Sequence, residues 1–375
     1  MVSDDAFAAL KGQRLLTLQH VVGLTQTELA DRLGVTQGLL SRVIRRSRPL
    51  TESLALSAAS EFGVPLTFFS VPTEPADNGP VTFRKNSKVR AKDEARVIAY
   101  YTEAARLFRS VSEASGYTEA VFPSERELDD PEALAMSIRR SLGLSEDEPV
   151  VNATRTLERL GVGVVDQLDD SGFDTGHTGI SRPSTATRRP LVALTADVPG
   201  AVKRLTLLHE YFHILADRNL DAPITSTRSP EERKAFHFAG AFLLPERVAR
   251  KRISESLNLH GYLPIKADYG LSVAAILKRG HSLGLITSDR YRSLSIQLSS
   301  AGWRTSEPVE VADERPALLK QAINRVYGQS SVARASHSLG MSPDWIVRWA
   351  DLDFSVSSRA IGNNVVDLRT RRSRS

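Results

Sequence analysis

Residues 205–217, LTLLHEYFHILAD, constrain the fold more than any other stretch of the chain. Leu205, Leu208, Phe212 and Leu215 recur at helical spacing, which makes the segment a helix with an apolar stripe turned to a core. The preceding DVPG supplies the break at which such a helix opens. Set into it are His209, Glu210 and His213, which are either polar residues sharing a helix by chance or one constellation. HEYFH fits the pattern His-Glu-x-x-His, whose histidines lie at i and i+4, one turn apart on a single face. Imidazole nitrogens placed in this way can both bind one tetrahedral Zn²⁺. The intervening glutamate, about 100° further round the helix, reaches a water beside the metal instead of the metal itself. So short a pattern also arises by chance, and context decides between the readings.

No cysteine occurs among the 375 residues, so a metal site must be built from His, Asp and Glu, and no disulfide can form. That usage fits a reducing compartment. The length leaves room for two or three domains, each with its own core. With 41% hydrophobic and 25% charged residues the chain has the balance of a soluble globular protein. No stretch reaches the length of a membrane span, and MVSDDAFAALKGQR lacks the layout of a signal peptide. The expectation is a cytoplasmic protein with no membrane partner. The net charge of +5 favours a polyanionic partner only mildly. Much of the excess sits in LRTRRSRS at residues 368–375, which reads as a disordered basic tail.

Short helical segments split by glycine fill roughly the first 70 residues. PTEPADNGP at 72–80 then reads as a linker. Residues 91–111 have the periodicity of one long helix, and two more helices fall between Pro131 and Leu160, broken at GLSEDEPV. GVGVVDQL, TGISR and PLVAL read as three short strands ahead of the HEYFH helix. From Glu231 to about Leu352 the pattern is mostly helical.

Within the first part, LTQTELADRLGVTQGLLSRVIR has a helix–turn–helix layout. Thr25 and Glu28 make a capping box; Leu29, Ala30 and Leu33 form a packed face; Gly34 supplies the turn. Thr36 caps a second helix with Leu40 and Val43 inside. That leaves Gln37, Gly38, Leu39, Ser41 and Arg42 outward, near the end a recognition helix offers to base edges. Arg45, Arg46 and Arg48 follow, suited to phosphate contacts that fix register. The open alternative is a small helical bundle used for protein contacts. The stretch from about 15 to 69 resembles the Cro-like (XRE) helix–turn–helix family, down to GLTQTELADRLGV and the closing FGVPLTFF. It departs at Ile44, where glutamate is common, and at Arg46, where glycine is common. The resemblance implies a double-stranded DNA operator as partner, with Thr36, Gln37, Gly38, Leu39, Ser41, Arg42, Arg45 and Arg48 as candidate contacts.

RLTLLHEYFHIL and the later SPEERKAFHFAGAFLLPERV together resemble the ImmA/IrrE metallopeptidases, which carry HExxH and then a helix ending in a Phe-Ala-…-Leu-Leu-Met-Pro-like run. Here the run is Phe238-Ala239 through Leu243-Leu244-Pro245. FRKNSKV, GVGVVD, PLVAL, YGLSVAAILKRGHSLGLI and AGWRTSEP extend the resemblance over roughly 83–308. It implies Zn²⁺ as cofactor, held by His209, His213 and Glu232, the last lying 13 positions before the proline. It further implies Glu210 as the general base. Phe236 stands where the family usually has Asn or Asp, a group able to orient a ligand histidine. His237, Tyr269 and Arg279 are candidates for that duty or for an oxyanion, with His237 also readable as an ordinary surface histidine.

The expected architecture is mainly α in the α+β class. A five-helix helix–turn–helix domain over 1–72 is followed by a linker over 73–90. A zincin-like (gluzincin) peptidase domain with a small β-sheet spans 91–300, a helical region 301–361, and the basic tail 362–375. VARASHSLGMSPDWIVRWA in the helical region looks like a degenerate helix–turn–helix that could sense, dock or merely pack. The functional expectation is a transcriptional regulator with zinc endopeptidase activity that cuts a helix–turn–helix repressor in a stress or mobile-element response. Two alternatives stay open: a DNA-binding regulator whose peptidase domain is inactive, and a protease whose N-terminal module docks another protein. A homodimer is one assembly open to the chain.

Overall fold

The computed structural model describes residues 10–71, 82–83, 90–169, 178–195, 197–220, 229–328 and 331–352. Most of the expected linker, the basic tail and most of FRKNSKV lie outside the described residues. The fold is mainly helical with one small sheet, as expected from the sequence. The chain divides into two compact units, one combining residues up to 74 with those from 319 on, the other running from 75 to 318.

The first unit opens with α1 (Arg14–Val22), α2 (Gln26–Arg32), α3 (Gln37–Ile44) and α4 (Glu52–Phe62), and a 3₁₀ turn over Leu66–Ser70 takes the place of a fifth helix. Threonine hydroxyls start three of these helices. Thr25 forms the expected capping box with Glu28, Thr36 accepts from the Leu39 amide at 3.2 Å, and Thr51 accepts from that of Leu54. Gly34 takes φ 64° in the turn between α2 and α3. Leu15, Leu18, Leu29, Leu40, Phe68 and Phe69 form the core.

The second unit begins with a two-residue strand β1 (Thr82–Phe83), inside the stretch that reads as linker. Then come α5 (Ala91–Ala114), α6 (Pro131–Ser141), α7 (Ala153–Arg159), β2 (Gly163–Val165), β3 (Gly179–Ser181) and β4 (Leu191–Leu194). The sheet order is β1-β3-β4-β2, with β2 parallel to β4 and the other pairs antiparallel. Gly163 pairs with Leu191, and a methyl there would lie 2.7 Å from the Phe108 ring, so glycine lets α5 lie close on the sheet. The HEYFH helix is α8 (Gly200–Ala216), which packs on β3, β4, α7 and α9 (Pro230–Leu243). Its first turn is anchored by buried charges. Lys203 Nζ donates to Asp166 Oδ2 at 3.2 Å, while Arg204 pairs with Glu314, whose carboxylate also accepts from the Ala153 and Thr154 amides at the start of α7. α10 (Glu246–Arg252), α11 (Leu263–Tyr269), α12 (Val273–Ser282) and α13 (Ser288–Ser300) complete this unit.

The last helices, α14 (Leu318–Tyr327), α15 (Ser331–Leu339) and α16 (Pro343–Trp349), return to the first unit. Trp345 meets the edge of Phe68 at 6.1 Å, and Thr67 Oγ1 donates to the His337 carbonyl at 2.8 Å. Gly340 has φ 56°, and a Cβ there would lie 2.6 Å from the Thr67 carbonyl, so only glycine fits. The residues resembling a degenerate helix–turn–helix therefore pack against the N-terminal helices. No helix among the described residues is long and apolar enough to cross a membrane.

Candidate functional site

Three side chains meet between α8 and the first turn of α9. His209 and His213 are fully buried on α8, with their Nε2 atoms 3.0 Å apart. Glu232 reaches both, Oε2 at 3.3 Å from His209 Nε2 and Oε1 at 3.3 Å from His213 Nε2. Local sequence fixes the glutamate: Ser229 caps α9 by accepting from the Glu232 amide at 3.2 Å, with Pro230 at the first helical position. Glu232 thus stands in the first turn facing the histidine pair.

The electrostatics of the cluster call for a cation. Burial opposes charge on His213, but its hydrogen bonds to Asp217 and Glu232, together with the charges of Glu210 and Asp217, outweigh burial and raise the imidazole to about 10. Burial would raise Glu232, but bonds from His209 and His213 and their charge hold its carboxyl far below the usual range. In the bare protein a proton on His213 thus sits beside an ionised Glu232 and a second imidazole, the place that a bound cation would take. Their ligand atoms all lie within 4.8 Å of one another, in a buried set of two imidazoles and one carboxylate. That donor set fits a divalent metal of the zinc type.

Glu210 sits beside the set on the same helix, also buried. Ser181 Oγ on β3 donates to Glu210 Oε2 at 2.7 Å. A methyl at Gly179 would come within 2.6 Å of Thr206 Cγ2 and 2.9 Å of Glu210 Cγ, so glycine lets β3 press against the turn of α8 that carries Glu210.

A residue that sequence reasoning missed orients His213. Asp217 Oδ2 lies 2.5 Å from His213 Nδ1, which directs Nε2 toward the cluster. The signal was present, since Asp217 follows His213 by four residues on one helical face. None of the three candidates for orienting duty performs it. His237 meets Glu132 at 3.0 Å on the surface; Arg279 makes two 2.6 Å bonds to Glu132 and one to the Leu244 carbonyl; Tyr269 donates to the Asp147 carbonyl. Their polar atoms tie helices together. Phe236 lays its ring 4.4 Å from that of His209.

On α3 the expected inner face is correct: Leu40 and Val43 are buried, and Ile44 joins them. Thr36, Gln37, Gly38, Arg42, Arg45 and Arg48 are exposed, and Leu39 and Ser41 half-buried. Gln37 Nε2 donates to Gln26 Oε1 at 2.5 Å, which ties half-buried Gln26 to this polar edge. Arg46, in the place of the family's glycine, takes the left-handed φ of 62° that glycine adopts without strain.

Two segments match known families. Residues 22–69 match the helix-turn-helix family, and residues 158–281 match the IrrE N-terminal-like domain family. No curated protein and no solved structure matches the chain. The first match takes in every candidate DNA contact; the second takes in His209, Glu210, His213 and Glu232. The chain thus joins a helix–turn–helix domain of the regulator type to a metallopeptidase-like domain, the fusion that its sequence resembles.

Proposed function

We propose that the protein is a DNA-tethered zinc endopeptidase that cuts a repressor of the helix–turn–helix type. The observation that carries this reading is the convergence of His209, His213 and Glu232 in one buried cluster, with Glu210 beside it and outside the ligand set. Zinc held by those three residues would polarise the scissile carbonyl and make a neighbouring water more acidic. Ser181 holds the Glu210 carboxylate in place by donating to it. Glu210 then takes a proton from the attacking water and delivers it to the departing amine. Asp217 keeps the His213 imidazole in the orientation and tautomer that present Nε2.

The helix–turn–helix domain contributes selectivity. With Gln37 and its neighbours at base edges and Arg45 and Arg48 on phosphates, it would hold the enzyme at an operator beside the repressor bound there. Co-occupancy raises the effective concentration of the scissile segment toward the millimolar range. The test is incubation of a candidate repressor with zinc-loaded wild type and with Glu210→Gln, followed by mass spectrometry. One defined cut with wild type and none with the variant is expected. An intact repressor in both, with normal operator binding, overturns the peptidase reading in favour of a regulator with an inactive peptidase domain.

A further inference from the structure

A cavity of about 330 Å³ neighbours the metal-type cluster through Phe236, whose ring lies 4.4 Å from that of His209. Leu205, Phe236, Gly240, Leu271 and Ala275 make its exposed lining mainly apolar, with Ser282 and Arg279 among the polar residues around it. Leu205 stands one turn before His209 on α8, and Phe236 one turn after Glu232 on α9, so two wall residues share helix faces with the cluster. Phe236 belongs to both, its ring contacting His209 on one side and lining the cavity on the other. The volume lies at the lower end of the small-molecule range, which suits one large side chain better than a cofactor. Walls of this kind reject a polar group that would lose its water without gaining a partner.

The depth depends on a glycine. A Cβ at Gly240 would meet only Arg279 Cδ, at 3.4 Å, so alanine is accommodated and any longer side chain must project into the cavity. The mouth is basic. Lys278 Nζ lies 3.8 Å over the Phe236 ring, and Arg233 stands exposed in the opening turns of α9. Arg279 pairs with Glu132. We propose that this cavity receives an aromatic or long aliphatic side chain of the substrate beside the scissile bond, and that Lys278 and Arg233 favour an acidic residue next to it. The inference rests on the peptidase reading and names the substrate class that reading leaves open.

Binding separates the two. Full-length, zinc-loaded Glu210→Gln protein is titrated against fluorescein-labelled, amidated peptides that differ only in a central Phe-Asp, Ala-Asp or Phe-Lys pair. The Phe-Asp peptide is expected to bind at least about tenfold tighter than either other, the discrimination a pocket gives for lost apolar groups. Gly240→Leu and Ala275→Leu, on different helices, should each abolish the preference for Phe over Ala, while Gly240→Ala keeps it. Lys278→Glu, at an exposed position, should reverse the preference for Asp over Lys. Equal affinity for all peptides, or a Phe preference that survives both filled-cavity variants, overturns the proposal. A Phe-Asp peptide that binds with these preferences yet stays whole with wild type supports the pocket and overturns the peptidase reading alone.

Discussion

Removing Asp217 tests the electrostatic logic of the cluster most directly. Its carboxylate bonds His213 Nδ1 at 2.5 Å with both side chains buried, and a hydrogen bond to a charged group in such a place contributes about 1.5–3 kcal/mol. Loss of a group that orients a metal ligand costs roughly 10–100-fold in affinity, or about 1.4–2.7 kcal/mol, and the two magnitudes agree. Asp217→Ala should therefore weaken zinc by about 100-fold, and Asp217→Asn, which keeps an acceptor but not the charge, by about tenfold. A second observable follows from the raised His213. With its imidazole at about 10 in the bare protein, zinc must displace a proton, so zinc affinity should rise by about one log unit per pH unit from 6.5 upward. Asp217→Ala removes part of what holds that proton, and the slope should flatten at a lower pH than in the wild type. Chelator competition across pH 6.5–9 reads both quantities. Wild-type affinity and slope in Asp217→Ala would refute the orienting role.

Other outcomes are equally specific. Purified protein should carry about one zinc per chain; Glu232→Ala should lose it and Glu210→Gln keep it, and elemental analysis showing full zinc in Glu232→Ala removes the third ligand. Operator affinity of the N-terminal domain should fall steeply with salt, and replacing Arg45 and Arg48 should reduce the log–log slope by roughly 0.9 each, as read by fluorescence titration. Arg46→Gly relieves a left-handed φ of 62° but adds unfolded-state freedom, so a net gain of about 0.5–1 kcal/mol is expected in urea unfolding of that unit, and a loss would show that the arginine's contacts outweigh its strain. In metal-free protein, depressed Glu232 stabilises above its unfolded value of 4.5 and loses this as pH falls, whereas raised His213 stabilises fully below 6.5 and loses this as pH climbs toward 10. Both contributions are complete only between those unfolded values, and a melting temperature that rises from pH 6.5 to 9 would contradict the coupling.

What could be read from the sequence divides along a physical line. Periodicity exposes which face of a helix is buried, so the HEYFH helix, the long α5 and the inner face of α3 were legible. It does not say what covers the face. Ser181 holds Glu210 from a strand 29 residues earlier, and nothing in the spacing links them. Trp345 and Phe68 meet although each belongs to an ordinary local pattern at opposite ends of the chain. The strand β1 has only two residues in a stretch without alternation, below what a period-2 signal can register. Glu232 became legible only through the run of residues downstream, because a third ligand on another helix carries no fixed spacing of its own.

Position 236 shows how a departure from a family pattern can mislead when it is read alone. Phenylalanine there reads as a lost orienting group, which makes His237, Tyr269 and Arg279 the candidates to replace it. The structure gives His213 its orienting carboxylate from Asp217 instead, one turn further along α8, so α9 is not required to supply one for that histidine. An aromatic ring at 236 can then serve a different end. It packs on His209, carries Lys278 on its face and forms one wall of the adjoining cavity. Restoring the family's polar side chain by Phe236→Asn should therefore leave the His213–Asp217 bond in place while opening the cavity wall to water. Such a change would erode apolar selectivity more than metal affinity, the reverse of what the residue's family counterpart suggests.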